Sequence, residues 1–408
     1  MPSNEMKTTI VTTTINIPAL LPKYAQNARY YGHSSVDFVV IGDRKSPPHT
    51  ADFCKSVEAY YPCAYLDIPA QQKYLDRFPE LWRHLPFDSI QRRNIGILMA
   101  WENGADVVIT IDDDNFVLDQ DFVGLHGVAG TVRDLRTYGS TSGWFNVCSL
   151  LQADHGIEFY HRGYPQALRW NEASHFISTS QGARRVAVNA GFWLDNPDID
   201  ALTRMERQPV VRGLKGPWNA NIALHPGTWS PFNSQNTALM RDAIPAYFLS
   251  PYVGRYDDIW ASYIVTRIAE HFSHVIAYGE PLVRQERNPH DLWKDLDVER
   301  NGMVLTDDFC GALRSIPLAG STYHECFAEI ADGLKRAWSV GQNWTDSQKQ
   351  WRSKMIEGMG IWHDVFDRLD AGSKRTRIKH SQPFARGTES IPQHDELVKM
   401  GDVGNFGK

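Results

Sequence analysis

A chain of 408 residues, 42% hydrophobic and 22% charged, is long enough to bury a substantial core in one large domain or two ordinary ones. Its formal net charge of −6 gives no overall attraction to nucleic acid or anionic membrane, so any anionic ligand must be held by a local patch. No apolar run is long enough to span a bilayer, and Cys54, Cys63, Cys148, Cys310 and Cys326 are odd in number and never spaced CxxC. With no signal-peptide pattern at the N-terminus, the expectation is a reduced, cytoplasmic protein without nucleic-acid or integral membrane contact.

Residues 8–15 (TTIVTTTI) are β-branched throughout and predict a first strand, and Pro18 opens a helix to about Tyr31. Residues 36–41 (VDFVVI) predict a second strand ending at Gly42-Asp43. A helix over 50–61 and a short strand over 64–68 follow. Residues 88–103 carry an apolar stripe at Ile90, Ile97, Leu98 and Trp101 and predict a helix, and the run 107–111 after it reads as a buried strand. Strands alternating with helices argue for a parallel sheet covered on both faces, in which ligands bind beyond the carboxyl ends of the strands. Residues 143–251 are rich in Gly, Pro and aromatics and read as loops and mixed strands. A helix is expected over 256–272 and a strand over 274–278. From about Phe309 to Leu369 the pattern turns helical, with Trp351, Met355, Trp362 and Phe366 on one face. The expected organisation is a nucleotide-sugar domain over 1–300, a helical region over 301–370 and a flexible tail over 371–408.

The core-like strand 107–111 runs straight into Asp112, Asp113 and Asp114. On extended backbone Asp112 and Asp114 point to one side, which makes a hard-oxygen site for Mn²⁺ or Mg²⁺ that leaves positions open for a diphosphate. A solvated acidic turn fits the same letters, but the place after a core strand favours the metal. A phosphatase DxD with a nucleophilic Asp sits on the first strand and continues into Gly/Thr or Val/Thr; this one follows earlier strands and continues Asn115-Phe116. There is no GxxxxGK[ST] and no GxGxxG after a strand, so P-loop and dinucleotide chemistry have no support. Arg92, Arg93 and Asn94 are candidates to meet a nucleotide's phosphates, against a solvated helix face, and Asp43 to accept from its base or sugar, against a turn residue. Asp257 and Asp258 open a helix beside Arg255; one suits an N-cap, the other a base or a sugar contact. His290 follows an expected strand and is the candidate third metal ligand, against a surface histidine.

These stretches resemble the reversibly glycosylated polypeptides, the UDP-arabinopyranose mutase family, from about Ile10 to Pro289. The matching segments are TIDDDNFV (110–117), RGYPQALR (162–169), GFWLDNPDIDA (191–201), GTWSP (227–231) and GRYDDIW (254–260), in the family's order. The resemblance implies a GT-A fold, a divalent metal on the acidic triplet, and a UDP-sugar substrate whose pyranose and furanose forms interconvert through a glycosylated arginine, at the position of Arg169. It also places Trp193, Arg255 and Asp113 at the nucleotide sugar. Asn115 stands where the family usually has Cys, and the family's Trp-His-Ser-Lys segment is replaced by Leu282-Val283-Arg284-Gln285. The run 285–296 looks more like the STELLO group of glycosyltransferase-like proteins. A protonated guanidinium is a poor nucleophile, so glycosylation of Arg169 needs a nearby acid, and Glu172 is a neighbour in sequence only; a diphosphate clamp is the other role for Arg169. The alternatives to a mutase are a glycosyltransferase with a separate acceptor and a non-catalytic nucleotide-sugar-binding partner. Homo-oligomerisation stays open.

Overall fold

The computed structural model describes residues 5–170, 176–215, 221–287, 290–339, 344–372 and 398–399. The elements of the first part are β1 (Thr8–Thr13), α1 (Leu21–Tyr30), β2 (Val36–Ile41), α2 (Thr50–Val57), β3 (Cys63–Leu66), α3 (Ile68–Leu75), α4 (Pro79–His84), α5 (Arg93–Glu102), β4 (Val107–Ile111), β5 (Asn115–Val117), α6 (Phe122–His126) and β6 (Val132–Ser140). The middle of the chain forms β7 (Leu151–Ala153), β8 (Phe176–Asp195), α7 (Ala201–Glu206), β9 (Val211–Leu214), β10 (Ile222–Leu224) and β11 (Asn236–Met240). Then come α8 (Asp257–His271), β12 (Val275–Gln285), α9 (Leu292–Ser315), α10 (Tyr323–Ser339), α11 (Asp346–Gly372) and β13 (Val398–Lys399).

β1 lies between β2 and β4, parallel to both, and β3 continues the parallel set beyond β2. Every residue of β4 is buried, as a strand covered on both faces requires. Helix α5 lies against β1 and β2 so closely that a Cβ on Gly96 would stand 2.6 Å from Val11 Cγ1. Beyond β4 the sheet turns mixed: β11 runs antiparallel to β4 and to β8, and β8 pairs antiparallel with β6 and parallel with β12. The expected α/β arrangement of a sheet flanked by helices, with a helical C-terminal region, forms; the sheet is parallel over β1–β4 and mixed beyond.

Two departures have physical reasons. The 20-residue β8 was read only as part of a loop-rich region, because its first half (FISTSQGARR) is polar with little alternation. Its strand state comes from pairing, with β6 along its first half and with β11 and β12 along its second. The helical region starts earlier than expected, at Leu292, because Asp291 caps α9 by accepting from the backbone N–H of Trp293 and Lys294. The expected tail lies outside the described residues apart from the end of α11 and β13.

The C-terminal helices share one apolar core with the sheet. Phe309 of α9 stacks on Trp260 of α8, with ring centroids 4.2 Å apart. Trp362 of α11 is fully buried between Phe248 and Phe366, and its Nε1 donates to the Pro245 carbonyl at 3.1 Å. Among the described residues no helix is long and apolar enough to cross a membrane. Trp362→Ala is expected to cost about 3–5 kcal/mol and, because this core is shared, to lower the midpoint of a single urea transition followed by both far-UV circular dichroism and tryptophan fluorescence.

Candidate functional site

The carboxyl ends of β1, β2 and β4 come out on one edge of the sheet, and the acidic triplet follows β4 there. Its three acids divide their partners. Asp113 Oδ2 accepts from Thr14 Oγ1 at 2.6 Å and from Asn16 Nδ2 at 3.3 Å, which ties the triplet to the end of β1. Asp112 Oδ1 accepts from Arg93 Nη2 at 2.5 Å. Asp114 is held beside Gln285 at the end of β12, and its Oδ1 is buried without a partner among the described residues. Burial, then the charges of Asp112 and Asp113, push the Asp114 carboxyl up to about 7. An orphaned carboxylate oxygen beside a second carboxylate is the donor set a hard divalent cation would satisfy, so the residues fit one. Among the described residues no group of three His, Cys, Asp or Glu ligand atoms within 4.8 Å of one another includes the triplet. Asp112 and Asp114 would therefore share a cation with water or a ligand's oxygens.

Arg93 is wholly buried and reaches in several directions from the first turn of α5. Besides Asp112 it meets Thr13 Oγ1 at 3.3 Å, and its Nη1 donates to the Ser234 carbonyl and Oγ at 2.9 and 2.7 Å. The backbone N–H of Ser234 donates to Asp258 Oδ2 at 3.1 Å. Asp258 faces Arg162, whose Nη2 is 3.2 Å from Asp258 Oδ1. Arg162 also forks onto Asp198, with Nε–Oδ1 at 2.8 Å and Nη2–Oδ2 at 2.9 Å, and Asn233 Nδ2 donates to Asp198 at 2.9 Å. Burial alone would raise the Asp198 carboxyl, but the Arg162 guanidinium outweighs it and holds the group below the usual carboxylate range. A continuous polar chain thus runs from Asp112 through Arg93, Ser234, Asp258 and Arg162 to Asp198.

Asp257, one residue from Asp258, has no basic partner within ion-pair range among the described residues. It accepts from Gln91 Nε2 at 2.9 Å. Burial first, then the adjacent Asp258, push its carboxyl up to about 7, against the pull of Arg162. Neither acid is the side-chain cap expected for one of them: Tyr256 occupies the N-cap of α8 without a capping bond, and both acids stand in the first turn, where the helix dipole favours negative charge.

Other expected positions land elsewhere. Asn94 is fully buried and bound by both ends of its amide to the backbone of Leu249, so it fastens a loop rather than a nucleotide. Arg92 is 1% exposed, donates to Gln71 Oε1 at 2.7 Å and lies over the rings of Trp82 and Phe87. Arg93 meets the triplet's acid rather than solvent, because a buried guanidinium needs a carboxylate more than a helix face needs a charge. Asp43 spends Oδ1 on the N–H of Arg44 and Oδ2 on that of Ser89, the turn role. Trp193 is 1% exposed and packs against His161 and Phe192, beneath the site. Arg255 pairs with Glu299 at 2.9 Å, and Asp295 gathers Arg255, Arg287 and His290. His290 Nδ1 stands 3.1 Å from Asp295 Oδ2, so the histidine is engaged with that acid and Gln285 is the side chain beside Asp114.

Arg169 is nearly buried, and its Nη2 donates to Asp200 Oδ2 at 2.6 Å while Nη1 donates to Thr203 Oγ1 at 3.0 Å. Glu172 lies outside the described residues. The acid beside Arg169 is Asp200, which also caps α7 by accepting from the N–H of Thr203. Asp198 and Asp200 lie inside the quoted NPDID stretch, and Arg162 opens the quoted RGYP stretch. Their presence was legible and their role was not, because it depends on contacts 30 or more residues away in sequence.

A family model described as reversibly glycosylated polypeptide matches residues 77–368. It begins after β3 and runs into α11, so it covers the helical region that the sequence resemblance left out. "Probable UDP-arabinopyranose mutase 1" of Solanum tuberosum is 28% identical over 274 residues, 64% of this chain and 68% of that protein. "UDP-arabinopyranose mutase 1" of Arabidopsis thaliana is 27% identical over 278 residues, 65% and 70%. Among solved structures, glucosyl-3-phosphoglycerate synthase from Mycobacterium tuberculosis, in complex with Mn²⁺ and UDP-glucose, aligns with a TM-score of 0.39 at 11% identity over 77% of this chain and 81% of that one.

Gly163 follows Arg162 with φ +88°, and a Cβ there would fall 2.2 Å from Ile259 Cγ2. Gly163→Ala is expected to cost roughly 2 kcal/mol or more in urea unfolding, from the left-handed backbone and the overlap together. Asp257 gives a pH signature. Between about 4 and about 7 the folded chain holds its proton more tightly than the unfolded one, so this group costs stability as pH rises through that window. Asp257→Asn should raise the melting temperature at pH 8 and leave it little changed at pH 4; an equal shift at both values would mean that the acid does not titrate this way.

Proposed function

The chain belongs to the reversibly glycosylated polypeptide family, and from that membership we propose that it is a metal-dependent enzyme acting on a UDP-sugar, interconverting its pyranose and furanose forms through a glycosylated enzyme. The observation behind this reading is the polar chain that joins the acidic triplet to Asp258, Arg162 and Asp198 at the carboxyl ends of the strands. Asp112 and Asp114 would hold Mn²⁺ or Mg²⁺, which when bound supplies charge neutralisation to the diphosphate of a departing nucleotide. Arg93 fixes the Asp112 carboxylate through its Oδ1. Asp257, poised near 7, suits proton transfer to and from a sugar hydroxyl, as ring opening and closure require.

Self-glycosylation needs an arginine nitrogen with an acid to take its proton. Arg169 with Asp200 meets that need, and so does Arg162 with Asp198 and Asp258. In the covalent step the bond from the sugar's anomeric carbon to the UDP oxygen breaks, a carbon–nitrogen bond to the guanidinium forms, and the nitrogen's proton passes to the paired carboxylate. Return of UDP to the opened and reclosed sugar releases the enzyme. A second reading, transfer of the sugar to a separate acceptor, is favoured by one observation: both guanidinia already donate to protein oxygens from both terminal nitrogens. In that reading Arg169 and Arg162 hold the site's shape and an outside hydroxyl is the nucleophile.

The deciding measurement is incubation of purified protein with radiolabelled UDP-sugars and Mn²⁺ without acceptor, following label on the protein and the nucleotide-sugar products. The mutase reading expects a furanose product and protein-bound label that disappears in Arg169→Lys or in Arg162→Lys. Binding with neither label nor isomer moves the assignment to transfer onto a separate acceptor. Absence of metal-dependent binding to any nucleotide sugar overturns both. Asp112→Asn combined with Asp114→Asn should lower turnover by about 100-fold or more, with circular dichroism unchanged.

A further inference from the structure

Away from the sheet edge, α10 and α11 bring together His324, His363 and Asp367. His363 and Asp367 are one turn apart on α11 and so share a face, and His324 approaches that face from the start of α10. His363 Nδ1 is 3.3 Å from Asp367 Oδ2, and His324 Nε2 is 3.6 Å from Asp367 Oδ1. The two imidazoles stack with centroids 4.2 Å apart, and one donor atom from each of the three side chains lies within 4.8 Å of the others. Among the described residues Asp367 has no lysine or arginine within ion-pair range, so each of its oxygens faces an imidazole. His324 Nε2 is also 3.2 Å from the His363 carbonyl.

We propose that His324, His363 and Asp367 form a second metal site, separate from the acidic triplet, that takes Zn²⁺ and fastens α10 to α11. Two imidazole nitrogens and a carboxylate are the borderline donor set zinc prefers, whereas Mn²⁺ and Mg²⁺ prefer oxygen alone. Around a tetrahedral ion with bonds of about 2.0–2.2 Å, ligand atoms stand roughly 3.3–3.6 Å apart; one donor atom from each of the three side chains already lies within 4.8 Å of the others, although the two histidines meet different oxygens of Asp367. The fourth position falls to water. Both helices belong to the common core through Phe327, Ile330, Trp362 and Phe366, so an ion there would stabilise the whole chain rather than a detached hairpin.

The test uses the full chain, stripped with EDTA and desalted, titrated calorimetrically with zinc sulfate and melted with and without it. Wild type and Asp112→Asn should both bind zinc at this site and gain about 3 °C at a hundredfold excess over Kd. Asp367→Asn and His363→Gln, with near-UV circular dichroism confirming the fold, should lose that shift. Co²⁺ in place of Zn²⁺ gives a second readout, a visible absorption band present in wild type and absent in both variants. Zinc binding and melting shifts equal in wild type and the two variants, or no binding to wild type, would overturn the proposal.

Discussion

Arg93 stands wholly buried at the point where the parallel half of the sheet meets the antiparallel half, and its charge has to be answered there. Asp112 does this from the end of β4, Thr13 from β1, and Ser234 from the segment leading into β11. Removing one partner from a buried ion pair costs about 3–5 kcal/mol, because the other charge is left in a medium that cannot solvate it. The position of Asp112 is therefore not a free choice of the loop. It is set by a guanidinium that α5 carries into the core, and α5 is itself pressed against β1 and β2 at Gly96. Packing at the back of the sheet thus fixes a carboxylate at its front.

The same logic extends along the site. Ser234 passes the constraint to Asp258, and Asp258 shares Arg162 with Asp198, so acids from three distant segments alternate with two buried cations. Alternation sets a guanidinium against each of these carboxylates, and at Asp198 the Arg162 guanidinium outweighs burial and holds the carboxyl below its usual range. Asp114 and Asp257 stand outside it, without an ion-pair partner among the described residues, and both are pushed up to about 7. The acids thus differ in their surroundings: Asp112, Asp258 and Asp198 each meet a buried guanidinium or a donor tied to one, whereas Asp114 and Asp257 are pushed up by burial and by neighbouring acids.

What the sequence made legible follows from how local each signal is. The first three strands, α5 and β4 were readable from β-branched runs and apolar stripes, since those residues are buried by neighbours close in the chain. The triplet was readable because three carboxylates after a core strand demand an explanation. β8 was not, because its polar first half becomes strand only through partners on either side. The surroundings of Arg92 and Asn94 were not legible for a related reason: a basic, polar stretch reads as surface, and here both side chains are buried and bound to Gln71 and to the Leu249 backbone. His290 followed a strand toward the right end of the sheet but found Asp295 on the way. Arg162 and Asp198 sat within quoted segments, yet only the fold shows that they face each other.

Neighbouring acids with unlike surroundings are the clearest sign that this edge is built for chemistry rather than for stability. Asp257 and Asp258 differ by one position in the first turn of α8, and a single helix dipole acts on both. Asp258 is turned toward Arg162; Asp257 is turned toward Gln91, a neutral donor. Were stability the only demand, a neutral residue at 257 would remove a buried charge with no basic partner and cost only the Gln91 hydrogen bond. Burial and the adjacent Asp258 push the carboxyl there up to about 7, which on the function proposed above would suit a group that takes and returns a proton at one place. The destabilised carboxyl and the fixed one beside it are therefore two halves of one arrangement, the second holding the backbone that keeps the first in position.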